Sequence, residues 1–308
     1  MMSKKTLLTI VCIWFTASIS FIACDKPDGE VPEEKRHPAS RSYTQSLVDE
    51  LVIMEAKSIY SPAPRENGPP PETCDYVRFL RFRLRNGSDV SSDADAALLM
   101  VPGNLGGANS LEYLARNLIY QAKVNHDLNL EVWAMDRRNN CLEDLTGLQA
   151  QEYHPDDYET GKNLFIDYYY HGLKIDGKTF DGFLTDKDTP YLSEFGLKMD
   201  TEDMYTIITT MMPDPELRRK KVFVGGHSLG GVHASMFSGW DFDGDPETLD
   251  DAGFRNLKGL FALDSTVSST ADIIDPIARL LPEYIYKLVE NMTEVAYAGI
   301  ANSLCCRI

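Results

Sequence analysis

The chain has 308 residues, 43% hydrophobic and 25% charged, which excludes a disordered, collagenous or coiled-coil protein. Thirty Lys and Arg against 47 Asp and Glu give a net charge of −17, a field that repels phosphate backbones and argues against nucleic acid as a partner. Only one stretch is apolar enough to enter a bilayer, so a polytopic membrane protein is also excluded.

That stretch is the N-terminus. Lys4 and Lys5 precede an uncharged run from Leu7 to Ala23, and Cys24 is followed at once by Asp25 and Lys26. Residues 1–23 have the layout of a secretory signal peptide. Ala23 directly before Cys24 resembles the lipobox of bacterial lipoproteins, in which the cysteine is lipidated and becomes the first residue. Phe21 departs from it, since an aliphatic residue is usual there. Three readings stand: a lipid anchor at Cys24 that ties the chain to a bacterial cell envelope, a plain cleaved signal that secretes it, and an uncleaved anchor. Loss of Lys4 and Lys5 takes the charge from −17 to −19. Residues 24–45, rich in Pro, Glu, Lys and Ser, read as a solvated tether ahead of a domain over 46–308.

Of six cysteines, Cys12 and Cys24 belong to the signal. In an oxidising compartment Cys74 and Cys141 are able to pair. No Cys or His spacing suits zinc, and neither a metal nor a cofactor is expected. Cys305-Cys306 has no physical account.

Along the domain, Leu47–Met54 reads as a first strand or a short helix. Pro62 to Pro71 marks a loop. Tyr76–Arg85 alternates Phe82 and Leu84 with Arg81, Arg83 and Arg85, which predicts a strand with one solvated face. Ala96–Val101 (AALLMV) is a continuous apolar run, as in parallel strands buried on both faces, and Leu130–Met135 (LEVWAM) reads as another buried strand. Between them Ser110–Lys123 predicts a helix with Ser110 as N-cap. Residues 151–200 show no clear period. Helix returns at Asp203–Met212, strand at Lys221–Val224, helix at Leu229–Ser238, strand at Leu257–Leu263, and helices at Ile273–Leu281 and Tyr284–Ile300. This alternation predicts an α/β domain, a mostly parallel sheet wrapped by helices.

Gly226-His227-Ser228-Leu229-Gly230 is a Gly-x-Ser-x-Gly sequence with a strand before it and a helix after it. Such a sharp turn pushes a serine hydroxyl out at the strand end, and its glycines let backbone approach closely. The opposing reading is a serine that caps an ordinary helix. The stretch resembles the nucleophile elbow of the α/β-hydrolase fold, in its esterase and lipase branch. The resemblance covers residues 75–265. It implies Ser228 as nucleophile and an oxyanion hole from the N–H groups of Leu229 and Asn104. Asn104 lies in Met100–Gly107, where the family places its oxyanion loop, with Pro102 in place of the usual His. Trp133–Asn139 resembles the family's structural Asp-Arg-Gly segment, and Asp136 and Arg137 are expected to brace a loop. His227 is expected to brace the turn.

The family's chemistry also needs a histidine base and a carboxylate, in the order Ser, acid, His. The histidines are His37, His126, His154, His171, His227 and His233, and only His233 follows Ser228, inside the elbow helix. The domain is therefore expected to lack the fold's last strands and the histidine beyond them, unless His154 or His171 reaches in from the 151–200 insertion. Asp264 is either the triad acid or a strand-end aspartate that caps a turn. Asp241, Asp243 and Asp245 have the spacing of a calcium loop's start, but Pro246 replaces its glycine and no Glu stands twelfth, so a solvated turn competes. The insertion's aromatic residues either cover an acyl pocket or form an extra packed layer. Two functions are carried forward: a lipid-anchored serine ester hydrolase, its substrate a small-molecule or lipid ester, and a degenerate, non-catalytic lipoprotein of the same fold.

Overall fold

Among the described residues six strands make one sheet, whose central strands supply apolar residues to both faces. The computed structural model describes residues 47–265 apart from Leu105, Pro155, Asp186 and Pro246. The signal, the tether, Cys24, Cys305-Cys306 and the two helices expected after residue 272 lie outside the described residues. A helical turn over 47–51 leads into β1 (Val52–Tyr60), so both readings of this segment hold in succession. There follow β2 (Tyr76–Leu84), β3 (Ala96–Val101), α1 (Glu112–His126), β4 (Leu130–Met135), α2 (Thr146–Glu152), α3 (Tyr158–His171) and α4 (Leu197–Met211). Then come α5 (Pro215–Lys221), β5 (Val222–His227), α6 (Leu229–Gly239) and β6 (Gly259–Leu263).

The sheet order is β1-β2-β4-β3-β5-β6. β2 pairs antiparallel with β1 and β4, and the remaining pairs are parallel. The register sets Val101 beside Gly226 and Leu263 beside His227, so the C-terminal ends of β3, β5 and β6 finish level. The loops that follow these strands therefore meet at one edge of the sheet, where ligands bind in open α/β sheets.

The two faces divide by strand parity. Leu99, Val101, Trp133, Met135 and Val224 pack with Met204, Ile207 and Ile208 of α4 and with Ala234 and Phe237 of α6. Met100, Val132, Ala134 and Phe82 pack on the other face against Ala115 and Ile119 of α1. This layering explains why AALLMV is apolar throughout and LEVWAM apolar but for Glu131.

β2 departs from its expected solvated face. Arg81 and Arg83 are buried, not exposed. Arg81 Nε donates to Glu131 Oε2 at 3.0 Å, and Arg83 Nε donates to Glu55 Oε1 at 2.9 Å. Glu131 also accepts from Ser91 Oγ at 2.7 Å and Trp133 Nε1 at 2.9 Å. A buried carboxylate with all its lone pairs used is tolerable where an unpaired one is not.

Two further expectations change. Ser110 is not an N-cap. A 3-10 turn over Ala108–Leu111 precedes α1, and Ser110 Oγ donates to Gly107 O. Residues 151–200, expected without period, hold the end of α2, all of α3 and the start of α4. Asp157 caps α3 by accepting from Thr160 N at 3.1 Å, and Gly172 ends it at φ 72°. Tyr168 and Tyr169 fill the seam between α2 and α3, where a Cβ on Gly147 would lie 2.6 Å from Tyr169 Cε2. Phe180 packs on both rings. Tyr168, Tyr169 and Phe180 thus form a small core of their own, anchored on Asp144. Asp144 accepts from Tyr168 OH at 2.7 Å and Lys178 Nζ at 2.9 Å.

Cys74 and Cys141 are joined in a disulfide, their Cα atoms 5.0 Å apart. Tyr191, Leu192, Phe195 and Met199 close over it. These insertion aromatics pack around the bridge.

Candidate active site

Ser228 sits where β5 turns into α6, at φ 51° and ψ −119°. No L-residue adopts that conformation cheaply, and holding it costs on the order of 1–3 kcal/mol. An ordinary capping serine has extended backbone and a side chain that accepts from the helix N-terminus. Ser228 has neither: its side chain makes no cap hydrogen bond and the residue is exposed.

Close approach explains the neighbouring glycines. A Cβ on Gly226 would lie 2.6 Å from the carbonyl carbon of Gly230, and one on Gly230 would lie 2.7 Å from the carbonyl carbon of Val101. The end of β3 and the first turn of α6 therefore pass backbone against backbone. The loop after β3 continues past the turn. A Cβ on Gly103 would lie 2.9 Å from His227 Nδ1 and 3.4 Å from Ser228 Cβ. Gly103 is thus the loop residue that touches the turn. Asn104, the expected second oxyanion donor, follows it directly and is exposed. Leu229 is the first residue of α6, and N–H groups at that position have no intrahelical acceptor. His227, at the end of β5, flanks the loop.

The segment after β4 braces this loop from behind. Asp136 accepts from Ala108 N at 2.6 Å, and Arg137 Nη2 donates to Gly106 O at 3.5 Å. Each residue reaches the loop, as expected of the pair. Burial pushes the Asp136 carboxyl above the usual range, against the Ala108 N–H and the guanidinium groups of Arg78 and Arg137. Arg138 turns the other way. Its Nε donates to Asp203 Oδ2 at 3.0 Å, and its Nη1 donates to Ser61 O at 2.7 Å and Cys74 O at 2.9 Å.

The end of β6 closes the third side. Ser228 N donates to Leu263 O at 3.1 Å, and Ser265 Oγ donates to Ser228 O at 2.5 Å. Asp264 lies between these contacts at φ 47°, exposed at the strand end. The left-handed region is one that aspartate tolerates. The Ser265 contact was not legible from sequence, because 37 residues separate the partners.

The histidines are dispersed. His126 ends α1, and His154 is exposed after α2. His171 is exposed at the end of α3, with Nδ1 2.8 Å from Asp167 Oδ1. His233 is buried, with Nδ1 3.0 Å from Asp200 Oδ2, close enough for an ion pair but off the line of a hydrogen bond. Among the described residues no histidine hydrogen-bonds to Ser228. His37 lies outside them.

The acidic stretch after α6 is rearranged from its expected form. Asp245 Oδ1 accepts from Glu247 N at 3.0 Å and stays out of the carboxylate group. Asp241, Asp243 and Asp251 gather instead, with one oxygen of each within 4.8 Å of the others. Burial and the two neighbouring carboxylates push the Asp241 carboxyl up.

No family model matches the chain, and no curated protein matches it. Solved structures similar to it include S-formylglutathione hydrolase FrmB from Staphylococcus aureus, at 11% identity over 79% of this chain and 71% of that one, TM-score 0.33. The peroxisomal α/β-hydrolase Lpx1 from Saccharomyces cerevisiae is 14% identical over 71% of this chain and 45% of that one, TM-score 0.37. A bacterial heroin esterase is 16% identical over 64% of this chain and 43% of that one, TM-score 0.26. The chain spans less than half the length of the last two. Superpositions this loose add no weight, and the assignment rests on the molecule itself. A sheet in the order β1-β2-β4-β3-β5-β6 with β2 reversed, and a strained Gly-x-Ser-x-Gly turn between β5 and α6, place the chain in the α/β-hydrolase fold.

Proposed function

We propose that the protein is a serine ester hydrolase. The observation that carries this reading is the backbone of Ser228, held at φ 51° with its hydroxyl exposed and capping nothing. Strain of this kind is kept where it aims a reacting group. Ser228 Oγ attacks an ester carbonyl and loses its proton to a base. The carbonyl oxygen gains negative charge as the tetrahedral intermediate forms. The N–H groups of Leu229 and Asn104 hold that charge, and their fixed placement avoids reorganisation during the reaction. Collapse expels the alcohol and leaves an acyl-serine, which water hydrolyses. Asp264, level with the turn, is the carboxylate best placed to orient a histidine. A surface of −17 favours neutral or hydrophobic esters over anionic ones. We place the protein outside the cytoplasm, anchored by lipid at Cys24.

The test is ester turnover and labelling by a serine-directed fluorophosphonate. Ser228→Ala is expected to abolish both in a chain that still folds, and retained turnover would sink the assignment. One observation favours the second reading, a non-catalytic lipoprotein: no histidine meets Ser228 among the described residues. Wild-type protein that is folded yet neither turns over esters nor takes the label would establish it. The anchor is tested by the mass of protein from its own source, where lipid on a chain starting at Cys24 is expected and is lost with Cys24→Ser.

A further inference from the structure

The hydrogen bond from Ser265 has a consequence beyond local packing. Ser228 C=O and Leu229 N–H are the two ends of one planar peptide group. The Ser265 hydroxyl donates to that carbonyl at 2.5 Å. On the far side of the same plane stands the N–H that receives the developing oxyanion under the hydrolase reading. A donor on the carbonyl draws electron density from the amide nitrogen, so its N–H becomes a stronger donor, as in any hydrogen-bonded chain of amides. It also fixes the rotation of the plane, which sets where the N–H points. The backbone donor to the same carbonyl, Gly231 N at 3.1 Å, lies within the same turn and does not tie the plane to the rest of the fold.

The surroundings are built to admit this hydroxyl. A Cβ on Gly231 would lie 2.7 Å from Ser265 Cβ, so glycine there keeps the berth open. Two residues before Ser265, at the end of β6, Leu263 O accepts from Ser228 N at 3.1 Å. Residues 263 and 265 therefore grip both backbone groups of Ser228, and Asp264 takes the left-handed φ of 47° that lets its neighbours turn to the same side.

We infer that Ser265 is a positioning residue for the oxyanion hole, acting on Leu229 N–H through the Ser228–Leu229 peptide. The inference rests on the ester-hydrolase reading for its catalytic consequence, but not for the coupling itself. Two readouts on Ser265→Ala separate the parts. In the free protein the amide ¹H resonance of Leu229 is expected to move upfield, since a weaker carbonyl partner leaves a less polarised N–H. In steady state, kcat is expected to fall about tenfold with KM nearly unchanged, because the donor matters most when charge has developed. A boronic acid that forms a tetrahedral adduct on Ser228 should lose affinity by a similar factor. Ser265→Cys, with a weaker donor, should fall between wild type and alanine on all three measures. Gly231→Ala closes the berth, so it should reproduce the kinetic defect, with helix propensity offsetting part of the overpacking cost. An unmoved Leu229 resonance in Ser265→Ala, or a moved one with unchanged kcat in active enzyme, overturns the inference. Wild-type protein that hydrolyses no ester, with the Leu229 shift still present, refutes the hydrolase reading and leaves the coupling standing.

Discussion

The Cys74–Cys141 bridge gives the most direct quantitative test of how this fold is held. It joins residues 67 apart. Closing a loop of that length lowers the entropy of the unfolded chain by about 15 cal/mol/K, or about 4 kcal/mol at 25 °C. The native side changes little when the bridge is removed. Arg138 still donates to Cys74 O and Ser61 O and still pairs with Asp203, so both ends of the loop keep their anchor. Cys74 is fully buried, so alanine is the conservative replacement. Urea unfolding of Cys74→Ala/Cys141→Ala is expected to show stability lower by about 3–5 kcal/mol and a steeper m-value, as the denatured chain expands. A loss below about 1 kcal/mol at unchanged m would refute the reasoning. It would mean that the unfolded chain already keeps these segments together.

Two further outcomes follow from the geometry. Glu55 loses some charge preference to burial, but hydrogen bonds from Lys57 and Arg83 outweigh this and hold its pKa at about 2 rather than 4.5. Its contribution is therefore present above pH 4.5 and lost as pH falls toward 2, up to about 3 kcal/mol. Glu55→Gln should flatten that acid limb in thermal melts, and an unchanged pH slope would count against the assignment. Gly230→Ala gains about 1 kcal/mol of helix propensity but meets Val101 and Pro102 backbone, an overpacking cost of about 1–3 kcal/mol. It should push the oxyanion loop off the turn and cut ester turnover at least tenfold, whereas Gly239→Ala, with open space at its Cβ, should be harmless. Equal stability and turnover in the two variants would contradict the close approach.

What was legible in the sequence follows from where the information lies. AALLMV and LEVWAM were read to the residue, because burial on both faces leaves apolar runs, interrupted only at Glu131. Ser228 was legible because the turn needs its glycines within two residues. β2 was misread because the partners that bury Arg81 stand 26 and 50 residues away, at Glu55 and Glu131. Local alternation looks the same whether an arginine meets water or a distant carboxylate. The helices of the insertion were hidden because Tyr168, Tyr169 and Tyr170 are consecutive. The rings of Tyr168 and Tyr169 seat against Gly147 and Phe180, that of Tyr170 lies exposed beside Phe183, and the three draw no helical stripe. Ser265 and Asp251 stayed invisible for the same reason as Glu131: their partners are supplied by strand register and loop packing, not by spacing.

The strain at Ser228 raises the question of what holds α6 in place. Its apolar side, Ala234 and Phe237, packs on Met204, Ile207 and Ile208 of α4. Such contacts favour burial but tolerate sliding, since one apolar surface resembles the next. α4 carries two buried carboxylates that do not tolerate it. Asp200 meets His233 of α6, and Asp203 meets Arg138 behind the oxyanion loop. These pairs are poor sources of net stability. Burial pushes the Asp203 carboxyl up to about 6 although Arg138 opposes it, so desolvation outweighs the partner. Their effect is on alternatives. A slide of α4 by one helical turn, about 5.4 Å, would strand the Asp203 carboxylate in the core without its guanidinium, at several kcal/mol, and would part Asp200 from His233. The apolar contacts thus supply the adhesion, and the buried polar pairs select one seating of α4. Through His233 that seating fixes α6, whose first turn carries Leu229. Through Arg138 it fixes the segment that braces residues 106–108. The turn at Ser228 and the loop after β3 are therefore aligned through one helix, α4.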